Sequence, residues 1–124
     1  MDMTQEEKSL LLQDLCARLP YGVKVWHFGT TRELLGIISS TENVMVGYDI
    51  NDYEDSVIED IKPYLRPMLS MTDEERKEYY HFVAFSGSPN GSANFVNWLN
   101  AHHFDYRGLI EKGLAIKAPK GMYD

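Results

Sequence analysis

Apolar positions near the start of the chain recur at helical spacing. Leu11, Leu12, Leu15 and Leu19 form one stripe with Cys16 beside them, and Gln13, Asp14 and Arg18 fall on the other face. Thr4-Gln5-Glu6-Glu7 has the spacing of a capping box, and Pro20 with Gly22 supplies a stop. The pattern predicts a helix over 4–19. Three β-like runs follow: Val23–Phe28 closed by Gly29-Thr30-Thr31, Glu33–Ser39 closed by Ser40-Thr41-Glu42-Asn43, and Val44–Tyr48. Connections this short join antiparallel neighbours, so the runs predict a meander. Leu34-Leu35-Gly36-Ile37-Ile38 alternates poorly, as a central strand buried on both faces would.

A fourth strand is expected over 56–61, ending before Pro63, with Tyr64–Met68 extended because each proline disfavours helix at the residue before it. Thr72-Asp73-Glu74-Glu75 is a second capping box and opens a helix to about Phe85. Ser86-Gly87-Ser88-Pro89-Asn90-Gly91 reads as a loop, and Ser92 as the cap of a helix presenting Phe95, Trp98, Leu99 and His102 on one face. Asp105 is the expected N-cap of a short helix, Tyr106–Lys112, with Gly113 as its C′ residue, after which Leu114-Ala115-Ile116 returns to the sheet edge. The fold class is α+β: an N-terminal helix, an antiparallel meander of three to four strands, and C-terminal helices packed on the sheet. With no repeat, linker or low-complexity segment, residues 1–124 read as a single domain.

Composition narrows this little. Apolar residues make up 44% and charged residues 25%, which is ordinary for a globular chain and argues against disorder. Cys16 is the one cysteine, so no internal disulfide can form, which fits a reducing compartment. The acidic, polar N-terminus is unlike a signal peptide and no apolar run approaches membrane-spanning length, which together suggest the cytoplasm. The formal charge is −7 and falls mostly within 49–78, where ten acids face four bases. Such a balance disfavours non-specific binding to nucleic acid or anionic lipid.

Three phrases have a familiar form: Leu15-Cys16-Ala17-Arg18-Leu19-Pro20-Tyr21-Gly22-Val23-Lys24-Val25, then Asp60-Ile61-Lys62-Pro63-Tyr64-Leu65-Arg66-Pro67-Met68 running into Ser70-Met71-Thr72, and Trp98–Ala115. Together they resemble a family of short proteins of gut Bacteroidetes, carried also on phages and other mobile elements. The resemblance implies a bacterial or phage cytoplasm and carries no catalytic or binding residue with it.

Chemistry-bearing motifs are sparse. His102 and His103 are adjacent, so on a helix they point about 100° apart, and no histidine pair has the i, i+4 spacing of a zinc helix. His102 on the Trp98 face is expected to be hydrogen-bonded and half-buried, His103 to be solvated. The loop 87–92 lacks the Gly-Lys-Ser/Thr ending of a P-loop, and neither Ser86 nor Ser88 sits in a nucleophile elbow. Cys16, beside an apolar stripe, is expected to be inert packing. These readings assign no catalytic residue, metal or cofactor.

The strongest compositional feature is the run Asp49, Asp52, Glu54, Asp55, Glu59 and Asp60, six acids without a base between them. It lacks the glycine and closing glutamate of an EF-hand. It can be a charged sheet edge that resists pairing with other chains, or a negative surface that docks a basic partner. The many tyrosines, with Trp26 and Trp98, exceed core needs and suit an interface. The leading expectation is a non-enzymatic interaction module whose partner is another protein. The alternatives are a nucleic-acid regulator using helices 92–112, which offer only Arg107 and Lys112 as cations, and a small enzyme built on His102, His103 and Asp105. No membrane partner is expected, and a homodimer stands as an option.

Overall fold

The computed structural model describes residues 3–38, 43–49, 51–86 and 93–123. The first helix, α1 (Gln5–Arg18), starts as its spacing predicts. Thr4 Oγ1 accepts from the Glu7 N–H (3.1 Å), and Glu7 Oε1 accepts from the Thr4 N–H (2.9 Å). Leu11 and Leu15 are fully buried, each contributing about 1.5–3 kcal/mol. The faces are not as expected, however. Asp14 and Arg18 are completely buried, and Cys16 is exposed.

Five strands and a short sixth follow: β1 (Lys24–His27), β2 (Thr30–Ile38), β3 (Asn43–Asp49), β4 (Asp52–Val57), β5 (Ile61–Leu65) and β6 (Ile116–Lys117). Their order across the sheet is β4-β3-β2-β1-β5-β6. The first four strands form the expected antiparallel meander, but β5 returns to pair with β1 and β6 runs parallel to β5. The sheet is therefore six-stranded and mixed rather than a meander of three to four strands. The β1–β2 hairpin turns on Phe28 (φ +49) and Gly29 (φ +81), with His27 opposite Thr30. Two positive φ values are the signature of the primed turn whose twist matches a hairpin.

Three strand expectations need correction. The broken alternation in β2 comes from a bulge between Leu34 and Gly36; among residues 30–38 only Leu34 is buried. The fourth strand begins at Asp52, because its acids lie on a sheet edge where charge is solvated, and it gives way to a 3-10 turn at Ile58–Asp60. Pro63 is inside β5 rather than beyond it. There β6 has not yet begun, joining only at Tyr64 and Leu65, so the proline sits in a half-open ladder position.

The second helix, α2 (Asp73–Ser86), opens with its predicted capping box: Thr72 Oγ1 accepts from the Glu75 N–H (3.2 Å) and Glu75 Oε1 from the Thr72 N–H (2.9 Å). The third, α3 (Ala93–Ala101), buries Phe95 and Leu99. Except for Asn43 and Ser86, the turn expected at 40–43 and the loop at 86–91, together with the Ser92 cap, lie outside the described residues. Among the described residues of the three helices, only those of α1 belong to the core on the sheet. α2 and α3 build a second core around Phe95, Leu99 and Phe104, with Met68, Met71, Tyr79, Phe82, Val83, Trp98 and Tyr106 against it.

The short helix expected at 106–112 is not formed. Gly108 (φ +74) interrupts it, and a single helical turn follows. Asp105 caps that turn, its two oxygens accepting from the Leu109 and Ile110 N–H groups at 2.8 and 2.9 Å. Gly113 (φ +77) ends it as predicted, with Gly113 N–H donating to Ile110 O and Leu114 N–H to Leu109 O. The chain then returns to the sheet edge as β6.

The buried polar pair of α1 ties these parts together. Arg18 Nε donates to Asp14 Oδ2 (2.8 Å), Arg18 NH2 to Phe104 O (2.6 Å), and Arg107 NH1 to Asp14 Oδ1 (2.7 Å). Asp14→Ala would strand two guanidinium groups, one of them fully buried, and is expected to cost about 3–5 kcal/mol. Glu59→Ala, which frees only the surface Lys8 (3.4 Å), is expected to cost about 0–1 kcal/mol. Urea denaturation of both variants checks this, and equal losses would contradict the network.

Candidate functional site

Four of the six acids lie on or beside one margin of the sheet: Asp49 ends β3 and Asp52, Glu54 and Asp55 are on β4, whereas Glu59 and Asp60 belong to the 3-10 turn between β4 and β5. β4 is the sheet's terminal strand, with Asp52, Tyr53, Glu54, Asp55 and Val57 exposed and Ser56 alone buried. Gly47 lets β4 approach so closely: a Cβ there would lie 2.3 Å from Asp52 O and 2.5 Å from Tyr53 Cα. Asp49 Oδ1 accepts from the Asn51 N–H (2.7 Å) in the connection to β4.

Among the described residues the acids divide into two sets. Glu54 Oε1 lies 3.3 Å from Arg32 NH1 and 3.5 Å from His27 Nδ1, and Glu59 meets Lys8. Asp49, Asp52, Asp55 and Asp60 form no ion pair. Strand register explains the contacts of Glu54. Val25 lies opposite Arg32, Leu34 opposite Val46, and Val46 opposite Glu54. Opposed residues share a face, so His27, Arg32 and Glu54 extend the core-facing side of the sheet beyond its last valines.

The same end of the meander carries both the Phe28-Gly29 turn and the β3–β4 connection. Phe28 (69% exposed) leans on the His27 ring at 4.5 Å, and Tyr48 (59% exposed) lies beneath the Arg32 guanidinium at 5.6 Å. Tyr53 on β4 is 45% exposed. Acids and exposed aromatic rings thus share this end of the sheet and its β4 margin. His27 shares the face of Val25 on β1, which is buried; its approach to Glu54, two strands beyond β2, has no local signal in the sequence.

The histidine group expected at 102–105 does not converge. His102 is half-buried as expected: Nδ1 lies 3.0 Å from Glu75 Oε2, and the ring packs on Trp98 at 4.7 Å. His103 is buried rather than solvated. It takes a left-handed conformation (φ +61), which turns its ring away from His102 and onto Tyr123 at 3.8 Å. Burial, reinforced by the Arg18 charge, lowers its pKa to about 4. Asp105 is used in capping its turn. Burial also pushes the Tyr123 hydroxyl up to about 12; that hydroxyl donates to Tyr64 O (2.7 Å).

Glu75 is a hub that the sequence showed only as half of a capping box. Both Arg66 terminal nitrogens donate to it at 2.7 Å, and these bonds, before any other cause, hold its pKa down to about 2. Arg66 also lies over the Phe104 ring at 4.3 Å, and Trp98 Nε1 donates to Glu78 Oε2 (2.6 Å). Among the described residues no three His, Cys, Asp or Glu side chains cluster as metal ligands, and no helix is long and apolar enough to cross a membrane. No protein-family model, curated protein or solved structure matches the chain.

The two titrations fall in successive windows that meet just above pH 4. The unfolded chain takes up a proton at His103 near pH 6.5 and the folded chain only near 4, so His103 stabilises fully above 6.5 and its contribution is lost as pH falls through 4. Glu75 gives the same sign between 4.5 and about 2. The unfolding free energy from urea denaturation is expected to fall between pH 6.5 and 4 by up to about 3 kcal/mol in wild type. The window should flatten in His103→Asn, whose side chain tolerates the left-handed backbone. An unchanged slope in that variant would contradict the burial of a neutral His103.

Proposed function

We propose that this chain is a small non-enzymatic accessory module that binds another protein, using the β4 edge and the adjoining hairpin end. The observation that carries this reading is the open margin of β4, where Asp52 and Asp55 form no ion pair and Tyr53 and Val57 are exposed. An unpaired edge offers main-chain hydrogen bonds to an added strand. Its acids discourage self-association, since a second copy would bring like charges together, and they favour a basic partner. Exposed Phe28, Tyr48 and Tyr53 supply the rigid apolar area that interfaces use. The expected occupant is therefore an extended segment bearing lysine or arginine on alternate positions, met in the cytoplasm.

The alternatives have less support. The nucleic-acid reading needed a recognition helix at 106–112, where a single capped turn stands, and Arg107 is engaged by Asp14. The enzyme reading needed His102, His103 and Asp105 in one site; they turn toward Glu75, Tyr123 and the 109–110 backbone respectively.

A peptide alternating lysine and valine, titrated into isotopically labelled protein, tests the proposal. Amide signals of 52–57 are expected to shift, and Asp52→Asn/Asp55→Asn to weaken binding about tenfold, roughly two surface charge contacts, without lowering the melting temperature. Shifts that spare both β4 and the adjoining end at Phe28 and Tyr48, or equal affinity in the folded double variant, would contradict it.

A further inference from the structure

Away from the acidic margin, the last residues of the chain build a basic cleft. β6 is held against β5, and Ala118 N–H donates to Leu65 O (2.8 Å) just beyond it. The chain then turns at Pro119–Met122, closed by Met122 N–H donating to Pro119 O (3.1 Å) with Gly121 at φ +88. That turn stands across from the 3-10 turn Met68–Ser70 and the start of α2. Between them is a cavity of about 340 Å³, at the small end of ligand sites.

Its lining is chemically one-sided. Arg66, Lys117 and Lys120 border it, with Ser70, Thr72 and Tyr123, and no acid among the described residues does, in a chain whose formal charge is −7. The charge of Arg66 is already matched by Glu75, which stands outside the lining. Lys117 and Lys120 form no ion pair among the described residues, so two positive charges remain unmatched at the cleft. The hydroxyls are complementary to each other. Thr72 Oγ1 accepts from the Glu75 N–H and keeps its own hydrogen free to donate. Ser70 Oγ spends its hydrogen on Pro67 O (2.6 Å) and offers only lone pairs, which suit a ligand hydroxyl.

We propose that this cleft binds a small, hydroxylated phosphate monoester, a sugar phosphate in class, with the dianion between Lys117 and Lys120. Two lysines answer a dianion, Thr72 adds a donor to a phosphate oxygen, and Ser70 accepts from the sugar. The site is independent of the β4 margin, and its occupancy does not rest on the partner reading.

Amide-detected titration of the labelled chain with ribose 5-phosphate tests this, with ribose, inorganic phosphate and succinate as comparison probes. Ribose 5-phosphate is expected to shift the signals of 66–72 and 117–121 and to bind more tightly than each comparison probe. The exposed pair Lys117→Ala/Lys120→Ala should weaken it about tenfold or more, as loss of two charge-assisted contacts implies, with an unchanged melting temperature. No shift at the cleft, or unchanged affinity in the folded double variant, would overturn the site. Equal binding of inorganic phosphate or succinate would overturn the monoester assignment.

Discussion

A guanidinium with no exposure to solvent constrains the rest of this structure. Arg18 carries its charge inside the protein, where an uncompensated ion costs several kcal/mol. Compensation comes from three directions: Asp14 one helical turn earlier, the carbonyl of Phe104, and the ring of Tyr106 at 5.5 Å. Asp14 in turn accepts from Arg107, whose own guanidinium lies over the same tyrosine ring at 4.7 Å. The set works only when α1 and the segment around 104–107 are both in place. Such a network is costly to assemble and costlier to interrupt, which makes it a device for specifying one arrangement of the two ends of the chain.

A second clamp repeats the theme one layer further out. Arg66 leaves the end of β5 and is held by Glu75 of α2, while its backbone is gripped on both sides by the C-terminal segment: Arg66 N–H donates to His103 O and Asp105 N–H to Arg66 O, each at 2.8 Å. The two cores, one between α1 and the sheet and one between α2 and α3, therefore meet along the strip 103–107. This strip also fixes what lies at the periphery. It seats His103 against Tyr123, and Tyr123 anchors the last turn through the carbonyl of Tyr64. The basic cleft is a by-product of that anchoring, whereas the acidic margin belongs to the far side of the sheet and depends on β3 and its glycine instead.

What the sequence disclosed follows the range of the forces involved. Both capping boxes and the Schellman end at Gly113 are local and were readable, as were the first three strands and the return of Leu114–Ile116 to the sheet. Helical periodicity sorts residues by polarity and so places Asp14 and Arg18 on the face away from the leucine stripe. Nothing within α1 announces partners more than 80 residues away, at Phe104 and Arg107. The same blindness put Cys16 inside and His103 outside. Pro63 has the local signature of a strand terminator, and the late arrival of β6, a fact of sheet order, makes it harmless. Among candidate sites, the acidic run is visible as composition, and its division between the β4 edge and the turn at 58–60 is visible only in the fold. His102 was visible, but Glu75, its partner, was legible only as a cap. The cleft joins residues 66–72 with 117–123 and left no trace in either segment alone.

Native-state hydrogen exchange on Arg107→Gln tests the linkage between the two ends most directly. The substitution lies far from α1 in sequence and reaches it through the hydrogen bond to Asp14. If the buried network holds both ends in one cooperative unit, the amides of 5–18 and of 104–115 lose protection together and by the same factor. Faster exchange confined to 104–115, with α1 protected as in wild type, would contradict it.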